Sequence, residues 1–157
     1  MEIAYLNCPL GSLKIEGDSL GIAAIIFLDE EVPDTQIVPE ELEEAVRQLE
    51  EYFNRDRNRF SLKLQPGGTD FQKRVWAALV EIPFGKTMTY LDMAKQLGDP
   101  KVIRAAASAN GRNPISIVIP CHRVIGSDGS LTGYAGGLHR KKWLLEHESP
   151  VTQGSLF

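Results

Sequence analysis

Cysteine is scarce in this 157-residue chain: only Cys8 and Cys121 are present. Two cysteines make no disulfide framework, and a reducing compartment is the simpler setting. Histidine is equally sparse, and residues 1–69 contain none. Cys8 therefore has no histidine or second cysteine in residues 1–69 with which to share a zinc ion, and no metal or other cofactor is expected. Long apolar runs are also missing. The most apolar stretch, residues 20–28, is far short of the ~20 residues that cross a bilayer. The opening residues Met1-Glu2-Ile3-Ala4-Tyr5 carry no basic region followed by an apolar core. A soluble, cytoplasmic protein is the expectation, with no membrane partner. There is no internal repeat and no low-complexity segment.

The net charge of −4 argues at first against a polyanionic partner. Its distribution reverses that impression. Residues 1–69 hold 6 basic and 14 acidic side chains, whereas residues 70–157 hold 11 basic and 7 acidic. Between 101 and 142 there are seven basic residues and one acid, Asp128. Such asymmetry fits either a nucleic-acid face on the second half or a solvated basic surface.

The pattern along the chain predicts an α/β (α+β) protein in two parts. Residues 3–7, 13–16 and 21–28 read as short strands, with turns at Pro9-Leu10-Gly11 and Gly17-Asp18. Apolar residues Leu42, Ala45, Val46, Leu49 and Tyr52 recur at helical spacing over 40–53. Residues 1–65 are thus expected to form a small antiparallel sheet with one helix. A connection ending in Pro66-Gly67-Gly68 follows. Residues 69–149 read as a mainly helical domain, and 150–157 as a flexible tail. Thr69 or Asp70 caps a helix through Ile82, and Thr89 caps another through Leu97. Gly98-Asp99-Pro100 then stops one helix and starts the next, which is rich in alanine. Two short helices about a tight glycine turn make a helix-turn-helix pattern, although all-helical cores use similar turns.

The chemistry concentrates at Cys121. A thiol is a weak nucleophile near neutral pH unless its pKa falls or a base takes its proton. His122 and Arg123 beside it offer both routes. A buried structural cysteine is the competing reading. On an extended strand, adjacent side chains point to opposite faces, so His122 would have to act through a water or a turn.

The string Pro120-Cys121-His122-Arg123-Val124, with Asn113-Pro114 upstream and Gly133-Tyr134-Ala135-Gly136-Gly137 and Trp143-Leu144-Leu145-Glu146-His147-Glu148 downstream, resembles the O6-alkylguanine-DNA alkyltransferases. These are also called methylated-DNA–protein-cysteine methyltransferases, and the resemblance is to the constitutive bacterial type. It runs from about Asp70 to Glu148 and is looser before that. It implies repair by irreversible transfer of an alkyl group from O6-alkylguanine in DNA to Cys121, with O4-alkylthymine as a further candidate substrate. Cys121 is then the acceptor, His122 its base, Glu148 the carboxylate that orients His122, and Asn113 a brace. Tyr90 donates a proton or hydrogen bond to the leaving guanine. Val124, Tyr134, Ala135 and Gly136 line the pocket; Ala135 stands where many relatives have serine.

The resemblance also implies that the lesion is flipped out through the minor groove. That groove carries little sequence code and suits a search for damage anywhere. Arg104 matches the family's intercalating arginine, and the small Ala105 permits close approach. Thr89, Arg112 and Arg123 fall to the DNA side on the same grounds. Apart from the resemblance, Arg104 reads as an exposed helix residue and the alanines as close helix packing. A monomer acting on double-stranded DNA is expected. The last five residues, Gln153-Gly154-Ser155-Leu156-Phe157, resemble a sliding-clamp docking peptide. Three other readings stay open: a lesion sensor of the same fold, a thiol hydrolase using Cys121, His122 and Glu148, and a helix-turn-helix regulator.

Overall fold

A computed structural model describes residues 1–149. The tail, with the clamp-like Gln153–Phe157, lies outside the described residues. The chain divides into two units. The first holds Met1–Gly67 and Pro114–Val118, and the second holds Gly68–Asn113 and the residues from Ile119 onward. Pro114–Val118 thus belongs to the first unit, although its neighbours on both sides in sequence belong to the second.

In the first unit, β1 (Glu2–Cys8), β2 (Gly11–Asp18) and β3 (Gly21–Phe27) form an antiparallel sheet in the order β1-β2-β3. The two-residue side-chain period puts Ala4, Leu6, Leu13 and Ile15 into the core, and in β3 the register shift opposite Glu16 and Gly17 buries both Ile22 and Ile25. Helix α1 (Glu40–Phe53) completes that core with Leu42, Ala45, Leu49 and Tyr52, all fully buried. Three glutamates in its first turn favour the positive end of the helix dipole. The stretch after α1 does more than connect. Ile22 N donates to Lys63 O and Gln65 N to Ile22 O, both at 2.8 Å, so Leu64 pairs with β3. Ile115 pairs with Ile25 in the same way.

In the second unit, α2 (Asp70–Val80) starts with a reciprocal capping box. Thr69 Oγ1 accepts from Gln72 N at 3.1 Å, and Gln72 Oε1 accepts from Thr69 N at 3.0 Å. Residues Met88–Thr89 form β4, and Thr89 Oγ1 caps α3 (Tyr90–Gln96) by accepting from Asp92 N. Gly98 turns the chain at φ +100°, a backbone conformation that side chains with a Cβ rarely adopt. Asp99 Oδ1 then accepts from Lys101 N, and Pro100–Val102 make one 3₁₀ turn that leads into α4 (Ile103–Gly111). Trp76 Nε1 donates to Ala109 O at 2.8 Å and fastens α2 to α4. Val124–Ile125 form β5, which pairs in parallel with β4, and α5 (Leu138–Glu148) closes the unit. No described helix is long and apolar enough to cross a membrane.

Candidate active site

Cys121 lies on a single 3₁₀ turn, Cys121–Arg123, at the entrance to β5. It is therefore not on an extended strand, and strict alternation of side chains does not apply to it. Pro120 precedes it, and Cys121 N donates to Ile119 O at 2.8 Å. Asn113 Nδ2 reaches the same carbonyl at 2.7 Å and also the Cys121 sulfur at 3.2 Å. One buried amide thus holds both the backbone leading into the turn and the thiol itself. The thiol is only 4% exposed. Burial pushes it up to about 11, against the opposing pull of the Asn113 N–H and the Lys141 charge. In the resting protein it is a neutral thiol that needs a base.

His122 is fully buried, and its Nε2 meets Glu148 Oε2 at 2.7 Å. A carboxylate on Nε2 selects the tautomer with the proton there and leaves the lone pair on Nδ1. Nδ1 is buried and has no hydrogen-bond partner among the described residues. Arg123 completes the cluster. Its Nε donates to Glu148 Oε1 at 2.7 Å, its Nη2 to Oε2 at 3.0 Å, and its Nη1 to Ile82 O at 2.7 Å. Burial opposes ionisation of Glu148, but His122 and Arg123 together hold its carboxyl well below the usual range. Glu148 is thus a fixed anion at the end of α5, and His122 cannot turn without losing it.

That depressed carboxyl sets an acid response. A lowered folded-state pKa contributes stability above the ordinary value of 4.5, and the contribution drains away as pH falls below it. Glu148→Gln removes this proton linkage. Urea titrations from pH 6 to pH 3 are expected to show a shallower loss of stability in the variant than in the wild type.

Tyr90, the first residue of α3, donates its hydroxyl to Thr132 O at 3.1 Å. Lys141 Nζ donates to the same oxygen at 2.7 Å and lies 5.7 Å from the centre of the Tyr90 ring. Lys141 is 0% exposed, and burial pulls its ammonium down to about 8. This lysine was not among the expected site residues. Its signal was nonetheless present: Lys141, Leu144, Leu145 and Glu148 fall at positions i, i+3, i+4 and i+7, which makes them the buried stripe of α5.

The expected pocket residues lie in the same unit. Val124 is fully buried in β5, Tyr134 is buried, Gly136 is half-buried and Ala135 is exposed. Arg104, Ala105 and Ser108 on α4, with Lys101 in the preceding 3₁₀ turn and Arg112 at the C-cap, are exposed, whereas Ala106, Ala109 and Asn110 are buried. Thr89 is half-buried at its cap. Arg123 departs from the DNA-side expectation. It is 6% exposed and its guanidinium is committed to Glu148 and Ile82, so it belongs with the His122–Glu148 cluster. His147, in the last turn of α5, is buried and stacks on Trp143 with centroids 4.8 Å apart. Among the described residues, no group of three or more His, Cys, Asp or Glu side chains could hold a metal.

Fold and site together define a cysteine-centred protein. A buried thiol and a hydrogen-bonded imidazole–carboxylate–guanidinium cluster share one unit with a helix pair of basic outer face. Residues 70–150 match the family model described as 6-O-methylguanine DNA methyltransferase, DNA binding domain. Residues 1–66 match that of the same enzyme's ribonuclease-like domain. The methylated-DNA–protein-cysteine methyltransferase of Methanosarcina acetivorans is 49% identical, over 94% of this chain and 98% of the relative. That of Mycobacterium leprae is 43% identical, over 96% and 94%. The crystal structure of Mycobacterium tuberculosis OGT in complex with DNA superposes with a TM-score of 0.85 at 41% identity, covering 94% of this chain and 93% of that one. The chain belongs to the methylated-DNA–protein-cysteine methyltransferase family.

Proposed function

We propose that the protein repairs DNA by taking the alkyl group of O6-alkylguanine onto the sulfur of Cys121, once per molecule. The observation that carries this is the buried thiol clamped by Asn113 beside an imidazole held in one tautomer by Glu148. His122 Nδ1 takes the thiol proton, relayed by one water. The thiolate attacks the alkyl carbon, the S–C bond forms, and the C–O6 bond breaks with its electron pair going to the base. Guanine leaves poorly as an anion, so a proton delivered to its ring through the Tyr90 hydroxyl assists; such general acid help is worth about 10²–10⁴-fold. The thioether product is stable, and none of the residues around it offers a route to cleave it.

The lesion must leave the stack before the sulfur can reach it. Arg104, exposed on α4, fills the gap with a planar cation, while Ala105 and Ser108 let the helix approach the minor groove. Arg112 and the Thr89 end of α3 lie on the backbone side. The same reading takes the protein as a cytoplasmic monomer. A clamp partner for Gln153–Phe157 rests on sequence alone. With duplex DNA in excess, the amount of O6-methylguanine repaired should plateau at one per protein molecule; continued turnover would refute the proposal. Arg104→Ala should slow repair in duplex DNA more than reaction with the free alkylated base, measured as two rate constants. Equal losses on both would remove Arg104 from flipping.

A further inference from the structure

The transfer written above gives Arg123 no task, although it ends the turn that carries the acceptor and is only 6% exposed. A buried charge is costly unless it is paired. Its Nε and Nη2 donate to the two oxygens of Glu148, Oε1 at 2.7 Å and Oε2 at 3.0 Å. Its Nη1 donates to Ile82 O at 2.7 Å, just past the end of α2, and the guanidinium carbon lies 5.9 Å from the centre of the Phe84 ring. His122 Nε2 shares Oε2 at 2.7 Å. Glu148 thus takes one bond from the base and two from a permanent cation. Other charged groups on the elements packed here turn to different partners. On α5, Lys141 donates to Thr132 O, Glu146 pairs with Lys142 and His147 stacks on Trp143. Beside Ile82, Glu81 is exposed.

We propose that Arg123 is a positioning residue for the transfer: by occupying both oxygens of Glu148 it keeps that carboxylate an anion, so that the proton taken from Cys121 stops on His122. The inference rests on the function proposed above. When the thiol proton reaches His122 Nδ1, the ring becomes an imidazolium and still carries its own proton on Nε2. That second proton lies on the 2.7 Å bond to Oε2. A buried carboxylate without a cation would draw it across, because burial disfavours the charged form. The outcome would be a neutral imidazole facing the thiolate and a neutral carboxylic acid behind it. The thiolate would lose the positive charge that stabilises it. Arg123 blocks that crossing, since its charge and its two N–H bonds favour the ionised carboxyl. The resting protein shows the same balance. Burial alone would raise the Glu148 carboxyl, yet with His122 and Arg123 against it the group stands well below 4.5. A lysine could supply the charge, but a planar fork reaches both oxygens and Ile82 O at once.

The test is the pH dependence of single-turnover methyl transfer from an O6-methylguanine duplex, read from pH 8 to pH 4 in wild type, Arg123→Gln and Arg123→Lys. Each variant's rate is divided by the wild-type rate at the same pH, which cancels the titration of the DNA. Removing the cation lets the carboxyl take a proton at a pH higher by about one to three units. The Arg123→Gln ratio should therefore fall with pH, by about tenfold per unit across that window. Arg123→Lys keeps the charge and loses the fork, and its ratio should stay flat to within about twofold over the whole range. A flat ratio in Arg123→Gln overturns the inference, because a contact that merely holds the fold slows transfer equally at every pH. A ratio that falls steeply in Arg123→Lys overturns it as well, and that arm stands even if Arg123→Gln does not fold. Wild type that takes no methyl at any pH would sink the parent function, and this inference with it.

Discussion

In Cys121→Ser, alkyl transfer is expected to fall below detection while binding to DNA containing the lesion persists. Serine is close in size, and Asn113 Nδ2, 3.2 Å from the sulfur, can donate to a hydroxyl in the same place. The turn is held chiefly by Asn113 and Cys121 N on Ile119 O, and neither bond involves the sulfur. The fold should therefore survive. The chemistry should not. The thiol is already raised to about 11 by burial, yet a neighbouring imidazole can still draw its proton as the bond forms. An alcohol is far less acid, and its harder oxygen is a poor nucleophile at an alkyl carbon. Gel-shift affinity alongside a transfer assay checks both halves. Residual transfer in the serine variant would place the acceptor elsewhere.

Glu148→Gln is expected to slow transfer by about 10²–10⁴-fold, the usual worth of a positioned base. The glutamine can still accept from one side, but it no longer compels the proton to stay on His122 Nε2 and the lone pair on Nδ1. It also leaves the Arg123 guanidinium buried beside a neutral amide. Breaking a buried charge pair costs about 3–5 kcal/mol, so thermal stability should drop as well. The two effects are separable. Affinity for lesion DNA, which the proposed function assigns to the outer face of α4, should change little at temperatures where the variant is folded. Unchanged transfer rates in folded Glu148→Gln would take Glu148 out of the relay.

What could be read in advance was what is encoded locally. The α1 stripe, the Thr69 and Thr89 caps and the Gly98-Asp99-Pro100 joint all follow from neighbouring residues, and each forms as its chemistry demands. The Asn113 brace and the His122–Glu148 pair rested on the family resemblance and emerge as hydrogen bonds. What was not legible depends on partners distant in sequence. Arg123 looked like a phosphate contact because nothing nearby says that Ile82 O and Glu148 will surround its guanidinium. Lys141 looked like surface charge until α5 packed with that face inward. Asn110 stood in an alanine-rich helix, and nothing nearby in sequence says that its amide will be buried against Cys121 O. The β4–β5 pairing spans two residues per strand, too short for any periodicity to announce.

The central claim is that one sulfur is a terminal acceptor. The most direct measurement is the intact mass of the protein after exposure to excess O6-methylguanine DNA, followed by peptide mapping. The account predicts a gain of a single methyl group, confined to the peptide containing Cys121 and lost in Cys121→Ser. Repair of the DNA with the protein mass unchanged, or a methyl on Cys8 instead, would contradict it.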